Sequence, residues 1–140
     1  MKKSTSDLQQ ELSVSADLDY FLETNEKDFD TETVPEILTR LLNQKGISKA
    51  ELAKNASLSE VYLHQVFSSR RKPSRNRLIC LCFSLGTSLE EAQELLRHCG
   101  HATLYPRNRR DAVLIYGLLH QMTVFAVNDR LFEQGEETLC

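Results

Sequence analysis

The chain has 140 residues, of which 41% are hydrophobic, 26% charged and 7% aromatic, the composition of one ordinary globular domain that can bury a core without disulfide or metal staples. Its longest apolar stretch, Ala112 to Leu119 with Gly117 inside it, falls far short of the roughly 20 residues that cross a bilayer, so a membrane span is excluded. The net charge of −3 hides an asymmetry: residues 1–33 carry nine acids against Lys2, Lys3 and Lys27, a net −6, whereas the remainder carries 14 basic against 11 acidic side chains.

Three prolines and five glycines leave long stretches whose apolar residues recur at helical spacing, and no alternating run is long enough for a strand. An all-α fold is expected. Residues 1–15 are polar and expected to fray. The first thirty residues hold no apolar core of a secretory signal, so the cysteines at 80, 82, 99 and 140 are expected to be thiols in a cytoplasmic protein. Leu18, Phe21 and Leu22 predict a short helix over 17–26, followed by an acidic linker at 28–33.

Val34-Pro35 opens the next helix with proline in its first turn, where the missing N–H costs nothing. Its stripe is Ile37, Leu38, Leu41 and Leu42, and Gly46 stops it. Ser48, with Glu51 three residues on, is a capping box for a short helix at 49–55 that turns Leu52 and Ala53 inward. Ser57 or Ser59 restarts the chain into a second short helix at 60–67 with Leu63 and Val66 inward. After it, Arg70, Arg71, Lys72, Arg75 and Arg77 fall within eight residues without an acid among them, the electrostatic footprint of a phosphate contact, with a solvated basic loop as the alternative. Pro73 and Ser74 open a helix through Leu85, closed by Gly86; Ser88 and Glu91 cap another at 89–99, closed by Gly100. Helices at 108–121 and 123–134 end the pattern. The expected organisation is an acidic N-terminal segment at 1–33, a helical domain at 34–100 and a C-terminal helical pair at 101–140.

Two short helices a few residues apart, set among longer ones, have the layout of a helix-turn-helix. With G-I-S-K-A-E-L-A at 46–53, the turn Ala56-Ser57-Leu58-Ser59, and S-S-R-R-K-P-S at 68–74 followed by Leu78 to Gly86, residues 34–99 resemble the phage-repressor-like, Xre-type DNA-binding family. The flanks resemble a narrower, uncharacterised bacterial group in which an acidic N-terminal segment and a C-terminal helical pair enclose that domain. The residues concerned are F-L-E-T-N-E-K-D-F at 21–29, R-K-P-S-R at 71–75, L-Y-P-R-N-R-R-D-A at 104–112 and V-N-D-R-L-F at 127–132.

The resemblance implies a five-helix domain in a transcriptional regulator of the bacterial cytoplasm, with no catalysis, cofactor or metal and with duplex DNA as partner. It places the 60–67 helix in the major groove, Glu60, Val61 and Gln65 toward the bases and Tyr62 and His64 as further base contacts on the same helix. Gln65 suits adenine N6/N7 and Glu60 suits cytosine N4. Ser48, Lys49, Ser59, Arg70, Arg71, Lys72 and Arg75 would hold phosphates, helped by helix N-termini. The 108–121 helix is apolar nearly all round and must be covered on several sides, either by packing within its own domain or by a second copy, since a reader of half-sites about 34–36 Å apart would use a homodimer.

Where relatives commonly have glycine in the turn this chain has Ser57, which matters if that φ is positive. Phe67 stands where many have glutamate. An adaptor that presents Tyr62, His64 and Phe67 to a protein partner is therefore the alternative reading. The acidic stretch 17–32 could also mask Arg70 to Arg77, in which case deleting residues 1–33 raises DNA affinity. The Ser/Thr residues at 4–6, 13, 15 and 24 read as solvated tail.

Arg107, Arg109 and Arg110 at a helix start oppose the helix dipole and are expected to pair with the acidic N-terminal segment or with Glu90, Glu91 or Glu94; a second phosphate contact is the alternative. Cys80, Cys82, His98, Cys99 and His101 do not have zinc-site spacing, because positions 80 and 82 of one helix point about 200° apart. No group orients a Cys/His pair for nucleophilic attack, and no P-loop, G-x-G-x-x-G or H-E-x-x-H pattern occurs, so no enzyme is expected.

Overall fold

The computed structural model describes residues 3–140; Met1 and Lys2, part of the stretch expected to fray, lie outside the described residues. Among those described, every regular element is helical: α1 (Thr5–Val14), α2 (Leu18–Thr24), a 3-10 turn (Glu26–Asp28), α3 (Val34–Lys45), α4 (Lys49–Asn55), α5 (Glu60–Phe67), α6 (Arg75–Leu85), α7 (Leu89–His98), α8 (Arg109–Leu119) and α9 (Val124–Glu133). None is long and apolar enough to cross a membrane. The chain divides after Glu32 into two compact units.

The first unit corrects the expectation of a frayed start. Ser4 accepts from the Asp7 N–H at 3.1 Å while the Asp7 carboxylate accepts from the Ser4 N–H at 3.3 Å, a reciprocal cap that starts α1. The Lys3 ammonium donates to Glu11 and to the Asn25 side-chain oxygen, and the Lys3 N–H donates to Asp28 at 2.8 Å. Asn25 is 1% exposed and donates in turn to Glu11 at 2.9 Å and to the Phe21 carbonyl at 3.0 Å. Helix α1 buries none of its own side chains. It is held by polar contacts, which leave no apolar period to read.

In the second unit, caps and stops fall where the local chemistry puts them. Thr33, Ser48, Ser59, Ser74, Ser88, Asn108 and Thr123 each accept an N–H from the first turn of the helix they precede. Gly46 and Gly86 end α3 and α6 in the left-handed region at φ 66° and 65°. The Ser88–Glu91 box is reciprocal, at 3.1 and 2.8 Å. At Ser48 only the serine half is made.

Helix α6 is the centre of this unit. Leu78, Ile79, Cys80, Leu81, Cys82, Phe83 and Leu85 are all buried, because α3, α4, α7 and α9 pack around it. The 108–121 pattern, which suggested a helix covered on several sides, belongs to α8, and α8 is covered on fewer. It buries Asp111, Leu114, Gly117 and Leu118 and leaves Tyr116 and Leu119 exposed. Its inner face lies very close to α6 and α9: a Cβ on Gly117 would stand 2.9 Å from both Phe83 and Val127.

Candidate nucleic-acid interface

Helices α4 and α5 pack on each other and are joined by residues 56–59, with α3 and α6 behind them. Ala56 is fully buried, and the chain reverses at Ser57, whose φ is 57°. The Ser57 and Leu58 N–H groups then donate to the Lys54 and Ala53 carbonyls at 3.2 and 2.9 Å, closing the end of α4. Ser57 therefore does occupy the left-handed region, a conformation that costs an L-residue about 1–2 kcal/mol. Ser59 accepts from the Tyr62 N–H at 3.0 Å and starts α5.

Helix α5 turns Tyr62, Leu63 and Val66 inward. Its other face presents Glu60, Val61 and His64 to solvent, with Gln65 half-buried. These four residues line a shallow groove of about 440 Å³ between α4 and α5, together with Lys49, Ala50, Leu63 and Arg70. Four of the five expected base-facing residues thus share one surface.

Tyr62 is the exception and corrects the reading of that helix. It is 8% exposed, and its ring carries the Arg77 guanidinium 4.4 Å and the Arg71 guanidinium 5.5 Å from its centroid. The signal was present: 62, 63 and 66 are an i, i+1, i+4 apolar set, as on α3. Phe67 is also partly covered, with the Lys49 ammonium 4.9 Å from its ring centre.

The basic loop after α5 is tied to that helix. Ser69 takes a φ of 64°, and the Arg70 and Arg71 N–H groups both donate to the Gln65 carbonyl, at 2.9 and 3.2 Å. From the other side, His101 Nε2 lies 2.9 Å from the Pro73 carbonyl. Arg70, Arg71, Lys72 and Arg77 are exposed. Among the described residues no carboxylate forms an ion pair with them or with Lys49, although Glu60 lines the same groove as Lys49 and Arg70. Ser48 and Ser59 are exposed at the starts of α4 and α5, with their oxygens engaged as caps.

Arg75 departs from the phosphate set. Its guanidinium reaches the buried Asp111 carboxylate at 3.2–3.3 Å and the Ala102 and Thr103 carbonyls at 2.9 and 3.2 Å. It joins α6 to α8. Arg77, a member of the same basic cluster two residues later, is exposed and has no ion pair with a carboxylate among the described residues, its guanidinium lying over Tyr62. In the second basic knot Arg109 and Arg110 are likewise engaged, though not by Glu90, Glu91 or Glu94. Arg109 meets Gln134 at 2.7 Å and Glu136 at 3.6 Å, and Arg110 donates to the Glu137 carbonyl at 2.8 Å and to Asn76 at 2.9 Å.

Comparisons with family models, curated proteins and solved structures find no match. The geometry of this surface is therefore what bears on function. Elsewhere in the chain, no group of three or more His, Cys, Asp or Glu among the described residues is placed to hold a metal ion. Burial pushes the Cys80 and Cys82 thiols up to about 12, which makes them poor nucleophiles and poor metal ligands at neutral pH.

Proposed function

We propose that this protein binds duplex DNA sequence-specifically, as a transcriptional regulator of Xre type in the cytoplasm, with α3 to α7 as a five-helix domain and α4–α5 as its helix-turn-helix. The observation that carries this reading is the set of five exposed cations, Lys49, Arg70, Arg71, Lys72 and Arg77, that form no ion pair with a carboxylate among the described residues: Lys49 and Arg70 line the groove beside the outer face of α5, and Arg71 and Arg77 lie over Tyr62 at its edge. Such a surface neutralises backbone phosphates and releases counterions. An α-helix fits the major groove, which is about 12 Å wide. There Gln65 would read adenine, Glu60 would read cytosine, and Val61 and His64 would complete the contact.

The overall negative charge does not oppose this, because the acids concentrate in residues 1–33. The adaptor alternative loses most of its surface, since Tyr62 is buried and Phe67 lies under Lys49. For a reader of paired half-sites, the exposed Tyr116, Leu119, Phe125 and Phe132 of α8 and α9 offer the apolar area a second copy needs.

Selection of genomic fragments by the purified full chain at about 0.1 M salt tests the reading. The expected result is an enriched motif whose affinity falls with salt at a log-log slope near −0.9 per phosphate contact. Sequence-blind binding, or none, overturns it.

A further inference from the structure

We propose that Tyr62, Arg71 and Arg77 form a preorganised clamp for one phosphodiester group, with Tyr62 as the positioning residue and the two guanidinium groups as the ligating ones. This rests on the DNA reading for the identity of the ligand, and on the following geometry for the existence of the site.

Two cations from different elements converge on one ring. Arg71 comes from the loop that hangs on the Gln65 carbonyl, and Arg77 comes from the first turn of α6, where its own N–H is held by Ser74 at 3.3 Å. Their guanidinium carbons lie 5.5 and 4.4 Å from the Tyr62 centroid, so the two charges are closer to each other than about 10 Å, one Debye length at 0.1 M salt. They repel. Each is drawn to the ring by its quadrupole, yet neither meets a carboxylate among the described residues. Two guanidinium groups supply positive potential there, and the first turn of α6, from which Arg77 projects, holds no acid of its own.

Within the second unit neither guanidinium forms an ion pair with a carboxylate. A phosphodiester supplies the opposite charge, and its two non-bridging oxygens suit two planar donor forks better than two ammonium groups. Tyr62, at 8% exposure, does not reach DNA itself. It limits the rotamers of two long side chains before binding, so less ordering remains to be done in the complex.

The test uses the full chain, the selected duplex and a salt series, with urea melts to confirm that each variant is folded. Tyr62→Phe keeps the ring and is expected to keep affinity within about twofold. Tyr62→Leu is expected to weaken all sequences by about 5–10-fold, the scale of one ordered charge contact, and to lower the salt slope by about one unit, as Arg77→Ala does. Folded Tyr62→Leu with wild-type affinity and slope overturns the clamp and leaves the DNA reading standing. If Tyr62→Leu does not fold, Arg77→Ala decides alone, and an unchanged slope overturns the clamp.

Titration with inorganic phosphate, followed by the Arg Nε–H signals in NMR spectra, separates the two ideas. Shifts confined to Arg71 and Arg77, in a protein that binds no duplex, sink the DNA reading and sustain the clamp as a site for another phosphate. No shift at either arginine, with no duplex bound, overturns both.

Discussion

Asp111 makes a polar tie between the C-terminal pair and α6. It is 6% exposed, and its carboxylate accepts both forks of Arg75 at 3.2–3.3 Å and the Tyr105 N–H at 3.0 Å. Asp111→Ala leaves a guanidinium and a backbone donor without their acceptor. Breaking a fully buried pair from one side costs about 3–5 kcal/mol. The Arg75 side chain is 25% exposed and keeps the Ala102 and Thr103 carbonyls, which lowers the expected cost to about 2–3 kcal/mol. Asp111→Asn keeps an oxygen for Tyr105 but turns an NH2 toward the guanidinium, and is expected to cost about 1–2 kcal/mol. Removing both partners, as Arg75→Met with Asp111→Leu, should cost less than the sum of the single changes, a coupling of about 1–2 kcal/mol. Urea unfolding followed by far-UV circular dichroism measures these variants and the two single changes of the cycle. An Asp111→Ala loss below about 0.5 kcal/mol, the scale of an exposed ion pair, would refute the argument. Arg75→Ala should accordingly lower stability and leave the DNA salt slope unchanged.

The remaining predictions are smaller in scope. Gln65→Ala should flatten preference at one base position by about 1–3 kcal/mol, whereas Arg71→Ala should weaken all sequences alike and cut the salt slope by about one unit; equal effects of both on cognate and scrambled duplex would defeat the assignment of Gln65. Gly117→Ala gains about 1 kcal/mol of helix propensity, yet its Cβ would stand 2.9 Å from the Phe83 ring and the stiff Val127 side chain. Overpacking costs about 1–3 kcal/mol, so a net loss in chemical denaturation is expected, and a gain would mean that α8 shifts freely. The Ser88 N–H and then Lys45 hold the Glu91 carboxyl below its ordinary range. A lowered folded pKa stabilises above the unfolded value of about 4.3 and fades as pH falls through the folded one. The deficit of Glu91→Gln, about 0.5–1 kcal/mol near neutrality on the scale of a helix cap, should therefore shrink in acid; a deficit independent of pH would contradict it.

What the sequence by itself determined is local. Serine, threonine and asparagine caps, Pro35 and the glycines at 46 and 86 mark the second unit's helices to within a residue or two, because each satisfies or stops a helix end within four positions. The inward side of Leu63 and Val66 was legible from helical spacing, whereas the positive φ of Ser57 comes from the structure. Only the tertiary structure decided the rest. Helical periodicity tells which face is apolar and not what covers it, so α6 rather than α8 is the helix surrounded on all sides. Arg75 reads as one more cation of a basic cluster until the fold brings Asp111, 36 residues away, against it. Tyr62 and Arg77 likewise lie on different helices, and a cation over an aromatic ring leaves no trace in spacing along the chain. Helix α1 has no apolar stripe, and the contacts of Glu11 with Lys3 and Asn25 that hold it depend on the chain folding back on itself.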